Sequence, residues 1–278
     1  MVKSLYRFLS KRHQTIHLDY HVDFKPRWGR EGLKPLKTIL DKGFNEYEAF
    51  ISSMIEYRND FHEIKQCDLE SDATLPCWNN QFLPGLDITS LFTVVAKYKP
   101  NKYVEVGSGN STKVAYLAKK KYSPETEIIS IDPYPRVEVD SLSDSIIRKP
   151  FEECDLSIFE QLNAGDVVFI DNSHRMLPNS DVTVFFLEVL PKLKKGVIVQ
   201  VHDIYLPYDY PDFMCERAYS EQYALAIYLL NSQSFTPLFP AYYISQEKEL
   251  SDSFSSIWDN PNLNGVERHG GSFWFRIQ

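Results

Sequence analysis

The chain has 278 residues, of which 43% are hydrophobic and 14% aromatic, so it has enough core material to exclude a largely disordered protein and fits one large domain or a domain with an appendage. Its net charge of −8 argues against nucleic acid as a partner, because an acidic surface repels phosphate backbones. The sequence contains no apolar run long enough to span a membrane, so no membrane partner is expected.

The first 84 residues differ in pattern from the remainder of the chain. Apolar residues between positions 36 and 64 recur at three- and four-residue steps, which predicts two helices that meet near Gly43. Turn-forming residues fill the stretch 67–84, which we interpret as a connector. We therefore predict a helical N-terminal extension over residues 1–84 and a second domain over residues 85–278.

Cysteines and N-terminal histidines carry little functional signal. The cysteines lack C-x-x-C spacing, and we expect reduced thiols in a cytoplasmic protein at Cys67, Cys77, Cys154 and Cys215. The start is basic but has no apolar run of leader length, which agrees with a cytoplasmic location. No cysteine or acidic partner clearly joins His13, His17 and His21, so we interpret them as surface histidines and not as a metal site.

Beyond residue 85 helical and strand patterns alternate. Short apolar runs at 103–106, 127–131, 166–170 and 196–201 are typical of buried parallel strands, and helical patterns at 112–121, 155–162 and 181–193 separate them. Helices are also predicted over 87–97, with Asp87 as a cap, and over 221–231. The segments 235–244 and 272–277 are predicted to form a closing antiparallel pair. The pattern predicts a doubly wound α/β sheet, whose ligands bind beyond the carboxyl ends of the strands.

A glycine-rich turn follows the first strand and begins the next helix. It contains Glu105, Gly107, Ser108, Gly109, Ser111 and Thr112. The spacing is not G-x-G-x-x-G, so a dinucleotide fits poorly, and the acidic residue suits an amino group or a cation better than a pyrophosphate. Asp132 ends the second strand at about the spacing from which a carboxylate meets a ribose. The alternative is a structural turn in which both acids are satisfied locally.

Ionisable residues follow the strands predicted over 166–170 and 196–201, namely Asp171, His174, His202 and Asp203. Two chemistries fit this set: oxygen ligation of a divalent cation such as Mg²⁺, or general-base catalysis by a histidine that an aspartate orients. The structural alternative pairs these residues only with one another or with the backbone. Nearby, Phe151 is placed to cover a flat ring, and the tyrosine- and proline-rich loop 205–211 suits an organic substrate or a lid.

The motifs YVEVGSGNST at 103–112 and Asp132 resemble class I S-adenosylmethionine-dependent methyltransferases. The runs FIDNSHRMLPNSDV and VQVHDIYLPYDYP resemble the small-molecule group whose fourth and fifth strands end in D-x-x-H and H-D. The resemblance covers roughly residues 85–278. It implies a mostly parallel, seven-stranded Rossmann-like sheet whose last strand is antiparallel and lies next to the fifth.

The resemblance also implies roles for single residues. Glu105, Gly107 and Gly109 would surround the methionine part of the cofactor, Asp132 would bind its ribose, and Asp171 would lie beside the sulfonium and the acceptor. Ser108, Ser111, Thr112 and Phe151 complete the expected cofactor site. His174, His202 and Asp203 are the expected catalytic residues, and Asp171 with Asp203 the expected Mg²⁺ ligands, although one oxygen ligand of the related metal-dependent enzymes is missing.

The expected activity is therefore methyl transfer to a hydroxyl of a small molecule or sugar, with Mg²⁺ assistance left open. Three alternatives remain: an NAD-dependent oxidoreductase, a non-catalytic scaffold of methyltransferase-like fold, and a metal-dependent reaction such as hydroxylation on the same fold. The N-terminal helices could pack on their own domain, cover the cleft or pair two chains, so a homo-oligomer is compatible with the sequence.

Overall fold

The computed structural model of the chain describes residues 14–135 and 139–278, and His13 lies outside them. Within these ranges His17 and His21 are exposed, as predicted. Among the described residues, no helix is both long and apolar enough to cross a membrane.

The described residues form a seven-stranded sheet in the order β3-β2-β1-β4-β5-β7-β6. The strands are β1 (Lys102–Val106), β2 (Glu127–Ile131), β3 (Ser145–Ile147), β4 (Val167–Ile170), β5 (Ile198–Val201), β6 (Phe235–Pro240) and β7 (Phe273–Ile277). Strands β1 to β5 are parallel, whereas β7 pairs antiparallel with both β5 and β6. This is the mostly parallel sheet, with an antiparallel last strand beside the fifth, that the sequence predicted.

Helices cover both faces of the sheet and the N-terminal edge. They are α1 (Lys34–Asp41), α2 (Phe44–Glu56), α3 (Arg58–Glu63), α4 (Gly85–Tyr98), α5 (Asn110–Tyr122), α6 (Ser157–Glu160), α7 (Asp181–Val184), α8 (Asp212–Cys215), α9 (Glu221–Asn231), α10 (Ala241–Gln246) and α11 (Lys248–Ser253). The break between α1 and α2 falls at Gly43, as the periodicity predicted.

Strand register brings the functional residues to one edge of the sheet. Val106 pairs with Ile131 on one side and with Ile170 on the other, and Ile170 pairs with Val201. The residues that follow these strands therefore leave the sheet side by side. Strand order reverses between β1 and β4, which is where ligands bind in doubly wound sheets.

The N-terminal helices share one hydrophobic core with the sheet domain. Tyr47, Phe50, Ile51 and Met54 of α2 are buried, and α2 packs against β6 and α4. The rings of Phe50 and Phe239 lie 4.8 Å apart, centroid to centroid. Residues on both sides of the predicted boundary at 85 thus belong to the same cluster.

The expectation of four reduced cysteines is wrong for two of them. Cys67 and Cys77 form a disulfide that closes a loop within the connector, whereas Cys154 and Cys215 are free. Sequence reasoning missed the bond because the two residues are ten positions apart and only the fold of the connector brings them together. The predicted cytoplasmic location loses the support that reduced thiols would have given it.

Candidate active site

The glycine turn after β1 forms the floor of a cavity of about 350 Å³. Gly107 adopts a φ of +87°, and a Cβ there would overlap the backbone oxygen of Asp171. The turn can therefore pass over the end of β4 only because this position is glycine. Several predicted cofactor residues line the cavity: Gly107, Ser108, Gly109, Ser111, Asp132, Phe151 and Asp171.

Glu105 lies beneath this turn and is fully buried. Its carboxylate accepts hydrogen bonds from the hydroxyls of Thr112 at 2.5 Å, Ser130 at 2.6 Å and Ser111 at 3.1 Å. Burial raises the pKa of Glu105 to about 7, although these hydrogen bonds lower it. Neither Glu105 nor Thr112 is among the residues that line the cavity, so both hold the turn in place from below.

Asp132 and Phe151 lie on the far side of the same cavity. Oδ2 of Asp132 accepts a hydrogen bond from the backbone N–H of Ser108 at 2.8 Å, and Oδ1 accepts one from Tyr134 at 2.8 Å. Oδ2 also accepts a longer hydrogen bond from the hydroxyl of Ser108, at 3.4 Å, so a ligand hydroxyl is accepted most readily by the second lone pair of Oδ1. Phe151 is buried against Phe159 and offers an apolar wall beside Glu152.

The four ionisable residues after β4 and β5 lie together. Nε2 of His174 is 3.4 Å from Oδ1 of Asp171 and 3.4 Å from Oδ2 of Asp203. Nδ1 of His202 is 3.6 Å from Oδ1 of each of the same two aspartates. His174 and Asp203 adopt φ values of +61° and +55°, in the left-handed region that residues other than glycine disfavour and that is enriched at active sites.

Each histidine also has a buried carboxylate behind it. Nδ1 of His174 lies 3.0 Å from Oε2 of Glu221, whose Oε1 is buried and has no hydrogen-bond partner among the described residues. Nε2 of His202 lies 2.9 Å from Oδ2 of Asp87. Asp87 also accepts backbone N–H bonds from Gly271 and Ser272, at 2.9 and 2.8 Å. His202 is therefore held by a fully bonded carboxylate, and His174 by a half-bonded one.

These contacts determine the charges of the cluster. Burial lowers the pKa of His174, but the hydrogen bonds of Asp171 and Glu221 outweigh it and raise the pKa to about 10. Burial lowers the pKa of His202 as well, but the charge and the hydrogen bond of Asp171 outweigh it and hold this pKa well above its ordinary value. Burial raises the pKa of Glu221 to about 7. The carboxylates that face the two imidazoles therefore hold both rings in their positively charged form.

A second cavity, of about 620 Å³, opens on the other side of this cluster. Its aromatic lining comprises Phe82, Tyr205, Phe213, Tyr219 and Tyr242. The rings of Tyr205 and Tyr242 are 4.5 Å apart, and Tyr219 stacks on His174 at 4.7 Å. Asp171 and Phe82 line both cavities, so the two spaces meet between these two side chains.

The predicted Mg²⁺ site at Asp171 and Asp203 does not fit this geometry. Mg²⁺ requires near-octahedral oxygen ligation, but both carboxylates face the two imidazoles, which already supply the compensating positive charge. Within residues 14–135 and 139–278, no group of three or more histidine, cysteine or acidic side chains is arranged to hold a metal ion.

Three residues of the site are not predicted by the sequence. The pattern marks Asp87 as a helix cap, yet its side chain binds His202 from the start of α4. It marks Glu221 only as the start of a helix, and it places Phe82 in a connector. An acidic residue at a helix start is the one signal for Asp87 and Glu221, but it does not distinguish capping from a long-range contact.

Two sequence comparisons found matches over part of the chain. Residues 104–204 match the model of a methyltransferase domain family. Over 90 residues, 30% of this chain, the sequence is 37% identical to an uncharacterised protein of Archaeoglobus fulgidus. The match spans 41% of the length of that archaeal protein.

Solved structures of methyltransferases are also similar to this chain. The O-methyltransferase TomG of Streptomyces achromogenes, solved with S-adenosylmethionine, is 14% identical, with 68% of this chain and 78% of that chain covered and a TM-score of 0.38. An O-methyltransferase of Bacillus cereus is 11% identical, with 83% and 91% covered and a TM-score of 0.40. The glycine turn and the strand order agree with the match to a methyltransferase domain, which covers residues 104–204 and so a little over a third of the chain.

Proposed function

We propose that this protein transfers the methyl group of S-adenosylmethionine to a hydroxyl oxygen of a small organic molecule. The observation that carries the proposal is that Asp171 lines two cavities, one above the glycine turn and one lined by aromatic rings. Methyl transfer requires the acceptor oxygen to approach the methyl carbon on the side opposite the sulfur, which leaves as a thioether, and two adjoining cavities suit that arrangement.

The cavity above the glycine turn is proposed as the cofactor site. S-adenosylmethionine supplies, when bound, an electrophilic methyl group on a positively charged sulfur. Asp132 accepts hydrogen bonds from the ribose hydroxyls, and Phe151 covers the adenine ring. Asp171 offers a carboxylate to the positive sulfur. Glu105 and Thr112 act beneath these residues and keep Ser108 and Gly109 in position.

The ionisable cluster is proposed to receive the proton of the acceptor hydroxyl. His174 and Asp203 both line the aromatic cavity, and Nε2 of His174 lies 3.4 Å from Oδ2 of Asp203, while Glu221 contacts the opposite nitrogen. His202 is bound more rigidly, by the fully bonded Asp87, so its positive charge is retained and it orients Asp171 and Asp203. A neutral His174 is required to accept the proton, and a positive charge placed beside Asp171 shifts His174 towards that form.

The experiment uses S-adenosylmethionine labelled in its methyl group and a panel of phenolic, sugar and polyketide hydroxyl compounds. We expect label on oxygen with wild-type protein. A general base contributes about 100- to 10,000-fold, so His174→Ala and Asp203→Ala should lose transfer by such factors while cofactor binding survives. Wild-type rates in both variants, or label on nitrogen or carbon only, would contradict the proposal.

A further inference from the structure

Phe82 occupies the point at which the two cavities meet. It lines the cofactor cavity together with Gly107 and Asp132, and it lines the aromatic cavity together with His174 and Tyr242. Phe82 is 49% exposed, whereas the next residue, Leu83, is buried. A half-exposed aromatic ring at the mouth of two cavities is suited to contact a ligand in either of them.

The other residue shared by the two cavities is Asp171, so an aromatic ring and a carboxylate border the same space. These two groups stabilise a positive charge by different means. The carboxylate does so by direct charge attraction, and the ring does so through the negative potential of its face. A sulfonium held between them would be stabilised on both sides, and a neutral thioether would lose both effects.

The backbone that carries Phe82 is firmly held. Oδ1 of Asn80 accepts hydrogen bonds from the N–H groups of Phe82 and Leu83, at 3.0 and 2.8 Å. The amide of Asn80 donates to the oxygen of Cys77 at 3.0 Å, and Cys77 is tied to Cys67 by the disulfide. Trp78 in the same loop is fully buried. The connector is therefore a rigid support and not a loose linker.

We propose that Phe82 is a cofactor-contacting residue whose ring faces the sulfonium opposite Asp171, and that the N-terminal extension thereby completes the active site of the domain. The inference rests on the proposed function, because it requires S-adenosylmethionine in the cavity above the glycine turn. It adds a residue that lies 25 positions before Gly107 and outside the stretch 104–204 that matches the family.

The test compares the dissociation constants of S-adenosylmethionine and S-adenosylhomocysteine, which share every group except the charged methyl sulfonium. Phe82→Leu keeps an apolar side chain but removes the ring. A cation–π contact corresponds to about a 2- to 30-fold change in affinity. Phe82→Leu should therefore weaken the binding of S-adenosylmethionine by such a factor and the binding of S-adenosylhomocysteine much less. Phe82→Tyr should retain the wild-type ratio of the two constants.

Leu69→Ala is the matched control, because Leu69 is 66% exposed in the same connector and lines neither of the two cavities. It should leave both constants unchanged. An unchanged ratio in Phe82→Leu, or equal weakening of both ligands, would overturn the inference while the proposed function stands. Failure of the wild-type protein to bind either ligand would instead overturn the proposed function and this inference with it.

Discussion

Gly107 links the fold of the chain to its cofactor site at the scale of one residue. It combines a φ of +87° with direct contact against the end of β4. Gly165 has a similar φ of +92°, but no neighbouring heavy atom lies within 4 Å of the place that a Cβ would take. The two glycines therefore separate backbone strain from steric overlap.

We predict that Gly107→Ala lowers the free energy of unfolding by more than about 3 kcal/mol and abolishes binding of S-adenosylhomocysteine, because strain and overlap add. Gly165→Ala should cost only about 1–2 kcal/mol, from strain alone, and should leave binding intact. Denaturant unfolding and equilibrium binding measure both effects. Equal losses in the two variants would show that the contact with Asp171 is unimportant.

Glu105 makes the free energy of unfolding depend on pH, and the sign of this dependence follows from its raised pKa of about 7. An unfolded glutamate loses its proton at lower pH, so between the two values the folded state binds more protons than the unfolded state. The stability that this proton contributes is present at acid pH and is lost as pH rises towards 7.

Glu105→Gln removes this titration and leaves the other groups in place. We subtract the free energy of unfolding of the variant from that of the wild type. We predict that this difference decreases from about pH 5 to about pH 8, because only the wild type loses stability through Glu105. Urea unfolding at several pH values provides the comparison. A difference that stays constant, or grows with pH, would contradict the raised pKa.

Residue types and spacing were sufficient to predict that Asp171, His174, His202 and Asp203 converge, because parallel strands end at one edge of a sheet. They were not sufficient to find Asp87, which lies 115 positions before its partner His202. They also assigned Glu105 to the cofactor, whereas its oxygens are engaged by hydroxyls from α5 and β2. Such partners depend on packing between distant elements, which one sequence does not encode locally.

At the scale of elements, β1, β2, β4 and β5 were predicted to within about two residues because buried apolar runs have few alternatives between turns, whereas no range was predicted for the short strand β3. The predicted helix over 181–193 instead divides into α7, a π-helical stretch at Phe185–Val189 and a 3₁₀ turn at Leu190–Lys192. Pro191 lacks the N–H that a continuing α-helix would need. The run 235–244 also divides, into β6 and α10, since short apolar runs do not distinguish a strand from a buried helix.

The disulfide of the connector supplies a prediction at this scale. Removing a cross-link that closes a loop of this size, with a separation of 10 residues, costs about 2–3 kcal/mol of stability in the chain-entropy account. We predict this loss for the double variant Cys67→Ser/Cys77→Ser, measured by denaturant unfolding.

A reducing agent serves as the internal control for that variant. It should destabilise the wild-type protein by a similar amount and leave the double variant unchanged. If reductant has no effect on the wild type and the variant is equally stable, Cys67 and Cys77 are not bonded in solution.

At the scale of the whole molecule, the N-terminal segment and the sheet domain build the site together. Oδ2 of Asp209, in the tyrosine-rich loop, accepts hydrogen bonds from the N–H groups of Arg27 at 2.6 Å and Trp28 at 3.1 Å. The N–H of Leu33 donates to the oxygen of Pro207 at 2.8 Å. Residues before position 85 therefore bind the tyrosine-rich loop 205–211, and Phe82 borders both cavities.

The central claim is that the cavity above the glycine turn binds S-adenosylmethionine. Calorimetric titration of the full chain with S-adenosylmethionine, S-adenosylhomocysteine and NAD, repeated with Asp132→Ala, tests it most directly. We predict one site per chain for the two sulfur compounds, weaker binding of both in Asp132→Ala because the ribose loses its carboxylate, and no binding of NAD. Binding of NAD without binding of either sulfur compound would contradict the account.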